Sequence, residues 1–116
     1  HFLLDVPTEE EDRAYTTSQI TDNQSAIDQL ETMMQATVDR GTGTDAQIEG
    51  YRVVGKTGTA EIASDQGGYF VGYLPDSSTN LVCFVGAYDV PGERQTVEAF
   101  HDIMTFAIDR YNITQN

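Results

Sequence analysis

Three runs of strand-forming residues follow one another in the middle of this chain, at 51–60 ("YRVVGKTGTA"), 69–74 ("YFVGYL") and 81–89 ("LVCFVGAYD"). The links between them are short and carry turn chemistry, "SDQGG" before the second run and "PDSSTN" before the third. Parallel neighbours need a crossover of roughly a dozen residues or more, so links of this kind dictate an antiparallel meander. The other elements have to be built round that sheet.

Two segments have the period of helices. Thr21 opens "TDNQ", a pattern that predicts a capping box in which Thr21 and Gln24 satisfy each other's free N–H groups. Ile27, Leu30, Met34 and Val38 then fall at helical spacing, and Gly41 supplies a stop, giving a helix over 21–40. A last helix is expected over 93–111, with Val97, Phe100, Met104, Ala107, Ile108 and Tyr111 on one face. The lead-in, 1–20, reads as a short strand "FLLDV" (2–6) ended by Pro7, an acidic loop "TEEEDR" (8–13), and "AYTTSQI" (14–20) as a candidate return strand. The expected class is α+β: a three-stranded antiparallel meander packed by two helices. At 116 residues the chain is one folding unit, 1–116.

Charge excludes some functions. Six basic residues face nineteen acidic ones, a formal charge of −13, which repels phosphate backbones and anionic lipid. No nucleic-acid partner is expected. The longest nearly apolar run, 81–88, falls far short of the roughly 20 residues of a membrane helix. The chain begins at His1 and its first methionine is Met33, so it is expected to be an internal piece of something longer. Cys83 lies alone in "LVCFVGAY" and is expected to be a buried small hydrophobe. His1 is terminal, His101 is expected to be a partly exposed helix residue, and no His, Cys and Asp share metal-ligand spacing. Neither metal nor cofactor is expected.

Lys56 answers to two patterns. From Gly50, "GYRVVGKT" satisfies G-x-x-x-x-G-K-[ST], the phosphate-cradling loop. That loop needs a strand before it and a helix after it, whose N-terminal amides meet the phosphate. Here the variable positions Tyr51, Arg52, Val53 and Val54 are strand formers, and "TGTAE" followed by "SDQGG" cannot start a helix. The match is accidental, and no nucleotide partner is expected. The other reading places Lys56 within a strand. It is the only lysine among the six basic residues, set between Gly55 and Thr57. Thr57 and Thr59 project to the same side of a strand. Gly58 between them leaves the backbone open to close approach. Two hydroxyls, one cation and a free strand edge form a ledge for an extended peptide ending in a carboxylate. The ledge requires 51–60 to be an edge strand. The plainer reading, both threonines serving only as β-formers, stays open on these residues alone.

The run "GTGTDAQIEGYRVVGKTGTAE" (41–61) resembles the class B penicillin-binding proteins, the D,D-transpeptidases that cross-link peptidoglycan. "FVGYLP" (70–75), "FVGAYDVP" (84–91) and "FAIDRYNI" (106–113) are similar to that family's closing strands and helix. The resemblance covers almost the whole chain and is weakest over 1–20. It implies a partial penicillin-binding, β-lactamase-like transpeptidase fold, the C-terminal part of the domain. By the same resemblance Lys56 holds charge and hydrogen bonds beside the nucleophile. The hydroxyls of Thr57 and Thr59 bind the terminal carboxylate of a D-Ala-D-Ala stem peptide or a β-lactam. The backbone N–H of Thr59 is an oxyanion-hole donor, and Gly58 keeps the ledge clear.

The departures from the family pattern matter as much. The family's nucleophile is the serine of S-x-x-K. With one lysine in the chain, that serine would have to stand at position 53, which is Val53. The only S-x-N, at Ser78, Thr79 and Asn80, follows KTG instead of preceding it and reads as turn residues. Both missing motifs are expected upstream, behind an N-terminal membrane anchor, with the full-length protein on the extracytoplasmic face of a bacterial membrane. The chain alone is expected to be inactive. A β-lactam or peptide sensor of the same fold, without turnover, stays open beside the enzyme, as does a structural domain whose KTG is idle. In the family two earlier strands join the sheet beside the third strand, so 81–89 is expected to lack its neighbour and to invite edge-strand dimerisation.

Overall fold

The computed structural model describes residues 18–62, 65–90 and 92–116. In chain order it holds helix α1 (Gln24–Arg40), a single 3-10 turn (Thr44–Ala46), strands β1 (Val54–Ile62), β2 (Asp65–Tyr73) and β3 (Val82–Tyr88), and helix α2 (Arg94–Tyr111). The sheet is the expected antiparallel meander in the order β1-β2-β3, so β1 and β3 are its outer strands among the described residues. Register pairs Thr57 with Phe70 and Thr59 with Gly68, and Phe70 with Val85. The expected strands over 2–6 and 14–20 fall largely outside the described residues; Ser18 to Ile20 are in no strand.

One core joins the helices to the sheet. Val38 of α1 and Val97, Phe100 and Met104 of α2 close on Phe70, with Ala46, Val53, Leu74 and Ile113 completing the cluster. The rings of Phe70 and Phe100 meet edge to face, 4.7 Å between centroids, an arrangement that aromatic quadrupoles favour. The Phe70 ring lies across the glycine pair Gly55 and Gly72. A Cβ on Gly55 would stand 2.3 Å from Phe70 Cζ. Only glycine fits under that ring.

Several local expectations are corrected. Asn23, not Thr21, is the N-cap of α1: its side chain accepts from Ala26 N–H, while Thr21 Oγ1 accepts from Asn23 N–H. On α1 the inward stripe is Ile27, Glu31, Met34 and Val38, and Leu30 is 53% exposed. Tyr51, Arg52 and Val53 precede the strand. Gly50 takes a positive φ of 85°, and the chain turns there before β1 begins. "SDQGG" is not all turn: β2 already starts at Asp65, because antiparallel pairing to β1 continues out to Ile62. Tyr111 is exposed at the end of α2, where Asn112 caps the helix in the left-handed conformation. Cys83 is half-buried against the core, and partial burial raises its thiol pKa.

The C-terminal tail is tied to the link between β2 and β3. Ser78 N–H donates to Thr114 O (2.8 Å), and Asn116 N–H donates to Asp76 O (2.7 Å). Ser78, Thr79 and Asn80 lie in that link, as turn residues should.

Candidate functional site

Lys56, Thr57, Gly58 and Thr59 are consecutive residues of β1. Strand alternation puts Thr57 and Thr59 on the side that faces the helices, the side of their partners Phe70 and Gly68. Lys56 and Gly58 belong to the opposite side, with Tyr69 and Val71 as register partners. After Lys56 the chain continues as strand to Ile62, so no helix N-terminus follows it.

Each side chain of the run meets a partner within the chain. Lys56 is exposed and its Nζ donates to Thr57 O at 2.6 Å, which leaves two of the three ammonium protons for other acceptors. Thr57 is only 4% exposed, and its hydroxyl lies 2.5 Å from that of Thr42. If Thr42 donates, the Thr57 proton stays free for a further acceptor. Thr59 is exposed and its hydroxyl donates to Glu93 Oε2 at 2.6 Å. That bond lowers the Glu93 pKa most and a backbone hydrogen bond within Glu93 lowers it further; burial opposes them, and the Lys56 charge adds the smallest lowering. The carboxyl is therefore ionised at neutral pH.

The space a side chain would fill at Gly58 is taken by the Tyr69 ring, whose Cζ lies 2.0 Å from an ideal Cβ there. Glycine at 58 therefore accommodates a neighbouring ring of this chain, stacked in turn on Phe84 at 6.0 Å between centroids.

Sequence reading missed Thr42, Glu93 and Gly68. Thr42 stands in the "GTG" turn after α1, fifteen residues before its hydroxyl partner, and Glu93 is thirty-four residues beyond Thr59. No periodicity links such pairs. The structure brings them together: Gly68 is the register partner of Thr59, and a Cβ there would stand 2.3 Å from Gly92 O and 2.7 Å from Glu93 Cα. Gly68 lets the segment before α2 settle onto the sheet. Beside it, Thr42, Thr44, Asp45, Glu93 and Arg94 line much of a cleft of about 600 Å³. Among the described residues no group of three His, Cys, Asp or Glu is placed to hold a metal ion.

An outermost strand carrying Lys-Thr-Gly-Thr, backed by two helices on one face of an antiparallel sheet, is thus in place. The model of the penicillin binding protein transpeptidase domain matches residues 10–105, and the chain belongs to that family. It is 37% identical to Stage V sporulation protein D of Bacillus subtilis (strain 168) over 58% of this chain and 12% of that protein. Among solved structures it resembles a peptidoglycan glycosyltransferase from Burkholderia ambifaria, with 28% identity and a TM-score of 0.64 over 90% of this chain and 34% of that one. The D,D-transpeptidase domain of peptidoglycan glycosyltransferase from Eggerthella lenta matches in fold, with a TM-score of 0.68 at 24% identity, over 90% of this chain and 26% of that one. The chain therefore corresponds to part of a transpeptidase domain and spans a minor share of each of these relatives.

Proposed function

We propose that this chain is the C-terminal part of the transpeptidase domain of a peptidoglycan D,D-transpeptidase, and that it supplies the KTG wall of the active site. The observation that carries the reading is the exposure of both Lys56 and Thr59 on one outer strand of a transpeptidase-family sheet. The chain forms one unit of that domain, 1–116: lead-in (1–20), first helix (21–40), three-stranded sheet (51–89), last helix (93–111). Its exposed apolar face, Val82, Phe84, Tyr88 and Tyr69, supports further elements of the domain lying against β3. Left unpaired, the outer edge of β3 would favour a dimer of the isolated chain.

In the proposed reaction a serine from outside this chain attacks the carbonyl between the two D-alanines of a stem peptide. The serine oxygen bonds to the carbonyl carbon, its proton passes to a base, and the terminal D-alanine leaves as its amine after taking up a proton. An amine of a second stem peptide then displaces the serine and completes the cross-link. A β-lactam follows the first step with its ring amide. Lys56 contributes positive charge and ammonium donors beside the serine. Thr59, through its hydroxyl, binds the terminal carboxylate, and through its backbone N–H stabilises the tetrahedral oxyanion. Thr57 stands behind them and joins when Thr42 is the donor in their shared bond, which leaves the Thr57 proton for the ligand. The full-length protein works on the extracytoplasmic face of the membrane, held by an N-terminal anchor.

Lys56→Ala in the full-length protein tests the reading by the rate of acylation with a labelled β-lactam. A fall of about a hundredfold is expected, the scale of losing one preorganised electrostatic group. A rate within about twofold, well inside the tenfold of a 1.4 kcal/mol step, would leave the motif idle. The chain by itself should show no mass increase on exposure to a β-lactam, because it holds no S-x-x-K serine. A covalent adduct would overturn that part of the reading.

A further inference from the structure

We infer that Glu93 is a specificity-determining residue of this site, a built-in carboxylate that occupies the Thr59 hydroxyl and must leave before a ligand carboxylate can bind there. The inference rests on the proposed role of Thr59 and names what governs access to it. A threonine hydroxyl has one proton to donate. In this structure that proton goes to Glu93 Oε2 at 2.6 Å. A ligand carboxylate that needs the same proton meets a competitor already seated and a like charge beside it.

The contact is prepared by the fold. Glu93 immediately precedes α2, and its carbonyl accepts from Thr96 N–H and Val97 N–H, both at 3.0 Å, so its backbone is fixed by the first turn. Its side chain makes no cap hydrogen bond to that helix, so the carboxylate is not needed there. On the sheet, the close approach of Gly92 and Glu93 is possible only because Thr59 is paired with a glycine, Gly68. Lys56 adds attraction, since its charge favours the ionised form of Glu93. The open cleft beside Thr42 and Asp45 gives the displaced side chain room to swing without unpacking the core.

Discrimination between ligands follows. A free-acid ligand has to displace Glu93 before binding, whereas one whose carboxylate is esterified neither uses the hydroxyl proton as a charged partner nor suffers the repulsion. Glu93 therefore lowers the apparent affinity for anionic ligands by the fraction of time it holds Thr59.

The test measures, in the full-length protein, second-order acylation by a labelled β-lactam with a free carboxylate and by its methyl ester. Glu93→Gln and Glu93→Ala should each raise the free-acid rate about two- to fivefold, the scale of one exposed charged contact, and leave the ester rate nearly unchanged. In a Thr59→Val background, which keeps the backbone N–H, the free-acid rate should be lowered and the Glu93 substitutions should add nothing. Unfolding midpoints equal to wild type would show that each variant is folded. If Thr59→Val lowers the rate while both Glu93 variants leave the ratio of free acid to ester unchanged, the inference is overturned and the carboxylate seat stands. If Thr59→Val changes nothing, the seat fails and the inference fails with it.

Discussion

The two helices dock on the sheet by different chemistry. α2 buries carbon: Val97, Phe100 and Met104 lie inside, and Phe100 meets Phe70 ring to ring. α1 buries one residue fully, Val38; Ile27 and Met34 of its inner side are half-buried, and polar groups hold the helix beside them. Glu31 accepts from Tyr73 Oη at 3.0 Å, and Gln35 Oε1 accepts from Arg52 Nε at 2.7 Å. The same guanidinium reaches Asp76 at 3.1 Å and Glu31 at 3.6 Å. Carbon contacts are non-directional and contribute most of the stability, whereas the polar contacts fix position and contribute little net free energy. The α2 seam should therefore decide whether the sheet forms, and the α1 seam how β1 and its functional run are held.

The largest effect should come from the apolar seam. Phe100→Ala removes a fully buried ring and leaves a cavity over Phe70 and Gly72. A loss of about 3–5 kcal/mol is expected in equilibrium unfolding. That is a large part of the roughly 5–15 kcal/mol of a native domain. A loss below about 1 kcal/mol would mean that the two seams are equivalent after all.

The polar seam can be read by pH. Burial, then the hydrogen bond to Glu31, then the Glu31 charge raise the Tyr73 phenol to about 12, with the Arg52 charge opposing. The unfolded phenol titrates at about 10. Because the folded value is the higher one, the folded state keeps this proton longer. The contribution is fully present below pH 10 and is lost as pH rises through about 12. Tyrosinate absorbance should thus contain one late step near pH 12 that Tyr73→Phe abolishes, with a stability cost of about 0.5–1.5 kcal/mol at neutral pH. A titration without that step would mean that the phenol is neither buried nor bonded to Glu31 as described.

The same contrast explains what could be read from sequence. Short links dictated the meander and its strand order, and the spacing of Val97, Phe100 and Met104 marked the buried side of α2, because carbon burial leaves a periodic trace. On α1 the periodic trace pointed to Leu30, but Glu31 takes the inward place through a partner forty-two residues away. Hydrogen bonds between distant side chains have no period. Part of the candidate site was legible for a related reason. Lys56, Thr57 and Thr59 lie within four successive residues of one strand, so alternation alone orders them. Thr42 and Glu93 reach the same hydroxyls from other elements, and only register and the Gly68 contact bring them there.

The smallest expected effect sharpens the comparison most. Leu30→Ala removes an apolar side chain that helical spacing assigned to the core. Glu31 is one residue further on, turned by about 100° round the helix, and it faces Tyr73 and Arg52 while Leu30 is left 53% exposed. The substitution also moves the helix toward better intrinsic propensity. A change within about 0.5 kcal/mol is therefore expected, as for other exposed positions. A cost above about 1 kcal/mol in equilibrium unfolding would show that Leu30 is covered, either by a rotation of α1 on the sheet or by another part of the full-length protein. Tyr73→Phe separates the two. A rotated helix takes Glu31 off the phenol and leaves that substitution without cost, whereas a covered Leu30 on a helix seated as described keeps both costs.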